Sequence, residues 1–174
     1  MRPLRLKPPP SNSFSAGFAR LLGTAHVLAL LAWLGLSAGG QLYAFTARAS
    51  GDAQRELRAR RRLQPLLVLE HVAFLLLLIT GVLLMREHGW GLTRARWLTL
   101  KLGLVAFLVV PLEGMHAFIA HGFIARGLRQ TSNPPLAKDL ARGLGVEEML
   151  RALAIPLLGI GLPLLVWLSV KKPF

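Results

Sequence analysis

The chain has 174 residues, of which 53% are hydrophobic, and a formal net charge of +13 at pH 7. Its apolar residues arrive in continuous blocks rather than in amphipathic stripes, which excludes an ordinary soluble domain, and no polar/apolar alternation points to a barrel. The basic residues sit in the tails and loops that flank the blocks, as topology signals do. The run RARRRL (58–63) is too short for a nucleic-acid module and has no interleaved aromatics, so no nucleic acid is expected as a partner, and the absence of cysteine excludes disulfides, iron–sulfur clusters and thiolate metal sites.

Residues 1–20 open on MRPLRLKPPPSNS, a basic, proline-rich stretch expected to be a disordered tail. Crossing the hydrocarbon core takes about 20 mostly apolar residues, and four blocks meet that length, at about 21–45, 65–85, 97–124 and 152–170. The first is too long for a signal-peptide core and lacks a small-residue cleavage site, so it is expected to remain as a span. The expectation is an all-α, integral membrane four-helix bundle forming one membrane domain over 21–174, multi-pass in a bacterial-type inner membrane.

With four spans both termini share one face, side A, and the two longer loops lie on side B. Side A carries nine basic residues and side B eleven, which leans weakly toward a cytoplasmic side B. RARRRL is read as part of the first side-B loop, with Pro65 in the first turn of span 2. TSNPP (131–135) is read as a turn, followed by a short surface helix before span 4. Pro111, Pro156 and Pro163 are expected to kink their helices. Gly35, Gly39, Gly40, Gly159 and Gly161 are expected to allow close helix packing.

Ionisable residues inside spans are costly and usually face a bundle interior. Counting 1.5 Å per residue places them in two stations. His26 on span 1 and Lys101 on span 3 share the side-A half, with Trp97 at the interface. Glu70 and His71 on span 2 share the side-B half with Glu113 and His116 on span 3, while His121 lies nearer the side-B surface. Glu113 and His116, at i and i+3, share a helix face.

Each group has a plain reading and a functional one. Lys101 is near enough to the interface to snorkel, His26 fits a core histidine bonded to a neighbour, and Glu70 can pair with the basic segment before it. Glu113 is too deep to snorkel and needs a partner or a proton. His71 and His116 at matched depth fit a buried network with Glu70 and Glu113 more readily than axial ligation of a b-type haem, which the same placement also allows. With Glu113 they also form a donor set for copper or another transition metal. One Glu-x-x-His pair is half of what a di-iron bundle needs.

Several short features resemble the HemJ-type protoporphyrinogen oxidases and the related CopD-like membrane proteins. They are His26 with Trp33 seven residues on, RRL (61–63) before span 2, WLTLKLGLV (97–105), Pro156 early in span 4, and the terminal SVKKPF. Their order and spacing run over about 21–174. The resemblance implies a haem b protein of the inner membrane that oxidises protoporphyrinogen IX, with His26 and Lys101 as the important pair, quinone or oxygen as electron acceptor, and a tetrapyrrole substrate. His26 would then be a haem ligand or acid/base group, and Lys101 would meet a propionate or a developing charge. The sequence departs from the pattern at Gly39, Leu42 and Val110 to Leu112, and it lacks the family's asparagine–glutamate before the last proline.

Three functions therefore stand from sequence: a haem-linked membrane oxidoreductase of HemJ type, a CopD-like copper-handling protein, and a cofactor-free accessory subunit. The lipid bilayer is the partner common to all three, and each is compatible with an oligomer. Against copper stands the lack of a methionine-rich site, the four methionines being Met1, Met85, Met115 and Met149.

Overall fold

The computed structural model describes residues 13–89, 96–130 and 138–171, which form four long helices. Helix α1 covers Ser13–Ala49 and α2 covers Ala53–Glu87. Helix α3 covers residues 96–130 and α4 covers Lys138–Lys171. Each is long and apolar enough to cross a membrane, and no strand occurs among the described residues. The chain is an all-α membrane protein. Side chains such as Leu28, Leu31, Leu75, Phe107 and Ile160 point outward, which suits a helix whose backbone groups are satisfied internally while its surface meets lipid.

Several helices start earlier than expected. α1 begins at Ser13, inside the 1–20 segment expected to be disordered, because nothing after Pro10 interrupts helix formation; residues 1–12 lie outside the described residues. α2 begins twelve residues before Pro65. Asp52 caps it, its side chain accepting from the Gln54 N–H at 2.8 Å, and Glu56 sits favourably in the first turn. RARRRL is therefore helix, and Pro65 lies inside α2 on an exposed face. At 35 residues, α2 is about 52 Å long against a hydrocarbon core of about 30 Å, so its arginine-rich first turns extend beyond the membrane on side B. The surface helix expected before span 4 is likewise continuous with it in α4. The TSNPP turn falls in 131–137, outside the described residues.

Helix α3 changes pitch twice. α-Helical Arg96–Leu104, Val110–Phe118 and Ala125–Gln130 are joined by π-helical turns at Val105–Val109 and Ile119–Ile124. The first π turn directly precedes Pro111, whose ring would collide with the carbonyl one α-turn back; widening the turn absorbs it. The segment carrying Glu113 and His116 is thus bracketed by two irregular turns.

The helices pack as two antiparallel hairpins, α1 with α2 and α3 with α4. Gly51, at φ +69°, makes the first connection in a conformation that suits glycine. Three apolar layers fill the interior. The side-B layer joins Leu57 to Ile119, Ile124, Leu140 and Leu144. The middle layer joins Trp33, Ala73, Phe74 and Val109. The side-A layer joins Trp97, Leu98 and Leu168; Trp97, expected at the interface, is only 8% exposed because the end of α4 packs over it.

The closest helix approach is not at the glycines expected to mark it. Gly35, Gly39 and Gly159 have open space where a Cβ would stand, and Gly40 has only an ordinary contact. Gly161 does face Leu108, at a flexible side-chain end. The tight crossing is between α3 and α4 near side B, where a Cβ on Gly127 would fall 2.7 Å from the Leu140 nitrogen. Backbone cannot yield as a side-chain tip can. Gly127→Ala should therefore destabilise the protein by about 1–3 kcal/mol, read as a lower thermal midpoint in detergent, while Gly159→Ala should leave the midpoint unchanged.

Candidate functional site

Both expected stations exist in space. On side A, His26 Nδ1 lies 2.9 Å from Thr80 Oγ1 of α2. That hydroxyl donates its single proton to the Leu76 carbonyl at 2.7 Å, so it accepts from His26. The proton is thereby fixed on Nδ1, and Nε2 keeps a free lone pair. Gly81 makes room for the ring, since a Cβ there would stand 3.2 Å from His26 Cε1. Lys101 lies within electrostatic reach of His26 and has no carboxylate partner among the described residues.

On side B, α2 and α3 face each other through a crossed set of acids and imidazoles. His71 Nε2 lies 3.9 Å from Glu113 Oε1, and His116 Nδ1 lies 3.7 Å from Glu70 Oε1. His71 Nδ1 donates to the Leu67 carbonyl one turn earlier at 2.5 Å, which leaves Nε2 as the lone-pair nitrogen. Glu70 is 3% exposed and Glu113 8% exposed. Both cross-helix separations are too long for a hydrogen bond, and His71 Nε2, Glu113 Oε1 and Glu70 Oε1 are all buried without a hydrogen-bond partner. Trp33 Nε1 turns toward Glu113 from α1 and is also unsatisfied.

One ligand atom from each of His71, Glu113 and His116 lies within 4.8 Å of the others. Ligands about 2.0–2.2 Å from one ion lie at most about 4.4 Å apart, so these side chains would close by roughly a few tenths of an ångström to share an ion. The histidine tautomer held by a backbone carbonyl and the outer carboxylate facing the other histidine are the supports that metal-bound imidazoles use. These residues fit a single ion. The His71 and His116 ring centroids are 5.8 Å apart. The cavity beside Glu70 and His116 is about 30 Å³, water-sized against the roughly 300 Å³ or more of a pocket for a large organic ligand.

Two neighbours were not placed here by sequence. His121 brings Nε2 to 3.4 Å from His71 Nδ1. At i+5 from His116 it reads as off-face in an α-helix, but the π turn Ile119–Ile124 swings it back. Toward side B, Arg60 forms a buried ion pair with Glu147 at 2.6 Å, and Arg151 joins it from α4 at 3.2 Å while donating to Gln41 of α1 at 2.8 Å. This network ties α1, α2 and α4 together. Only the i, i+4 spacing of Glu147 and Arg151 is legible in the sequence.

The fold and the buried acid–imidazole cluster define a polytopic helical membrane protein with a polar site inside its bundle. Over residues 20–173 the chain matches the family described as "Predicted integral membrane protein (DUF2269)", and it belongs to that family. No curated protein and no solved structure matches it.

Proposed function

We propose that this protein holds a divalent transition-metal ion of the copper class within the membrane, with His71, Glu113 and His116 as ligands. The observation that carries this reading is the set of buried donor atoms, His71 Nε2 and Glu113 Oε1 among them, that face one another without hydrogen bonds. Unpaired buried polar atoms are costly, and one cation relieves them together. A nitrogen- and oxygen-only donor set suits Cu(II) or Zn(II), with copper favoured by the Irving–Williams order, and it needs no methionine. Likeness to the CopD-like proteins supports copper handling. Bound copper would supply a one-electron redox centre or a cargo ion. Glu70 would hold the His116 ring, the Leu67 carbonyl would hold His71, and the surrounding apolar layers would exclude bulk water. The test is equilibrium dialysis of detergent-purified protein against Cu(II) and Zn(II). One ion per chain is expected, and no binding above that of a His71→Ala, His116→Ala double variant overturns the reading.

A second reading rests on the side-A station. The free Nε2 of His26, with its other nitrogen tied to Thr80, is prepared for an axial bond to haem b, and Lys101 beside it suits a propionate. This is the HemJ-type oxidoreductase. It expects a Soret band in the reduced-minus-oxidised spectrum that His26→Ala abolishes. Thr80→Val should lower haem affinity by roughly 10–100-fold, as loss of an outer-shell partner does. A colourless protein that takes up no haem on reconstitution removes this reading and leaves the metal site untouched.

A further inference from the structure

A cavity of about 30 Å³ lies between the arginine network and the side-B cluster. It is lined by Ser37 and Gln41 of α1, Arg60, Gln64 and Glu70 of α2, and Glu147 of α4, with His116 of α3 beside Glu70. A buried cavity of this size, rich in polar partners, holds about two waters. Its walls supply the need for them: Arg60 Nε and Glu70 Oε1 are buried without hydrogen-bond partners, in residues 6% and 3% exposed. The lining climbs α2 from Arg60 to Glu70, ten positions or about 15 Å along the helix. Its outer end lies among the parts of α2 and α4 that extend past the membrane on side B, and its inner end touches the cluster.

The charges along it are balanced. Arg60 faces Glu147 at 2.6 Å and Glu56 at 4.0 Å, and Arg151 faces Glu147. Electroneutrality lets protons and small cations enter these waters without a standing electrostatic barrier, whereas an uncompensated arginine would repel cations. In the other direction, among the described residues, Trp33, Phe74 and Val109 close the middle layer with apolar side chains.

We infer that this cavity is the hydrated inner part of a passage through which protons and bare cations of about water size reach Glu70 and His116 from side B. The inference rests on the reading of the cluster as an ion site, and it adds the route and the side of entry. The passage also gives the protons displaced from ligands a way out when an ion binds.

The chain has no cysteine, so a single introduced thiol reports on its own surroundings. Ser37→Cys and Gln64→Cys place it on two walls of the passage, and Leu69→Cys places it at similar depth on an exposed, lipid-facing position. Ag⁺ is added to each variant in sealed vesicles from side B, and remaining thiol is then counted with a fluorescent maleimide in SDS. Thiolates form in water and not in lipid, so Ser37→Cys and Gln64→Cys should react at least about tenfold faster than Leu69→Cys. Two positions on different helices guard against one variant failing to fold. If both fold and neither outpaces Leu69→Cys, or if both react only when Ag⁺ is on side A, the passage is overturned. Copper binding by the unmodified protein is measured separately. Slow thiols with bound copper count against the passage alone, while fast thiols without copper count against the ion site alone.

Discussion

Glu147→Ala is expected to be the most damaging single substitution away from the cluster, costing about 3–5 kcal/mol. The Glu147 carboxylate meets Arg60 at 2.6 Å and Arg151 at 3.2 Å, and both Arg60 and Glu147 are almost fully buried. Removing it leaves the Arg60 guanidinium buried with, among the described residues, only Glu56 as a carboxylate partner, at 4.0 Å, and an uncompensated buried charge is the expensive outcome. A sharply lower thermal midpoint in detergent, or loss of the monodisperse peak, is the expected measurement. Arg60→Met combined with Glu147→Met should recover most of the loss, because an apolar pair of similar volume avoids the desolvation of both charges. Exposed Glu148, paired with Arg48 at 2.9 Å, is the control; Glu148→Ala should change stability by less than about 1 kcal/mol. A double variant as unstable as Glu147→Ala alone would show that the site needs the network for more than charge balance.

The second large effect belongs to the cluster. His71→Ala removes one of three converging donors and should weaken Cu(II) binding well beyond the roughly 10–100-fold that loss of an outer-shell partner brings. Glu70→Gln should fall within that 10–100-fold range, since Glu70 faces His116 from outside the ligand triangle. His121→Ala should have the smallest effect of the three, because His121 is exposed and meets His71 through the nitrogen that already serves the Leu67 carbonyl. Competition with a coloured chelator gives all three values. Equal losses at His71 and His121 would mean that the ion sits on the outer pair instead.

The two stations were legible from residue counting alone, because helical rise converts sequence position into depth. His26 and Lys101 were matched in that way, as were Glu70, His71, Glu113 and His116. Depth does not give azimuth. That the acids and histidines cross, His71 to Glu113 and Glu70 to His116, depends on how α2 and α3 rotate against each other. The π turns that set this rotation in α3 were hidden behind Pro111, which signals a kink without saying what shape it takes.

Helix ends were less legible for a related reason. Hydropathy marks where a helix enters lipid, whereas capping marks where it begins, and Asp52 caps α2 thirteen residues before the apolar block. The arginines between them were read as a loop because they are polar, although nothing in them opposes a helix. Arg60 and Glu147 are 87 residues apart, and neither spacing nor depth announces that pairing. Glycine marked the closest backbone approach at Gly127, and sequence does not distinguish it from glycines facing open space.

Whether a metal ion sits among His71, Glu113 and His116 is decided by the X-ray absorption spectrum of the copper-loaded protein in detergent. A first shell of nitrogen and oxygen at about 2.0–2.2 Å is expected, with the outer scattering of imidazole rings, and loss of that imidazole signal in the His71→Ala, His116→Ala double variant. Sulfur in the first shell, or an unchanged spectrum in the double variant, would contradict it.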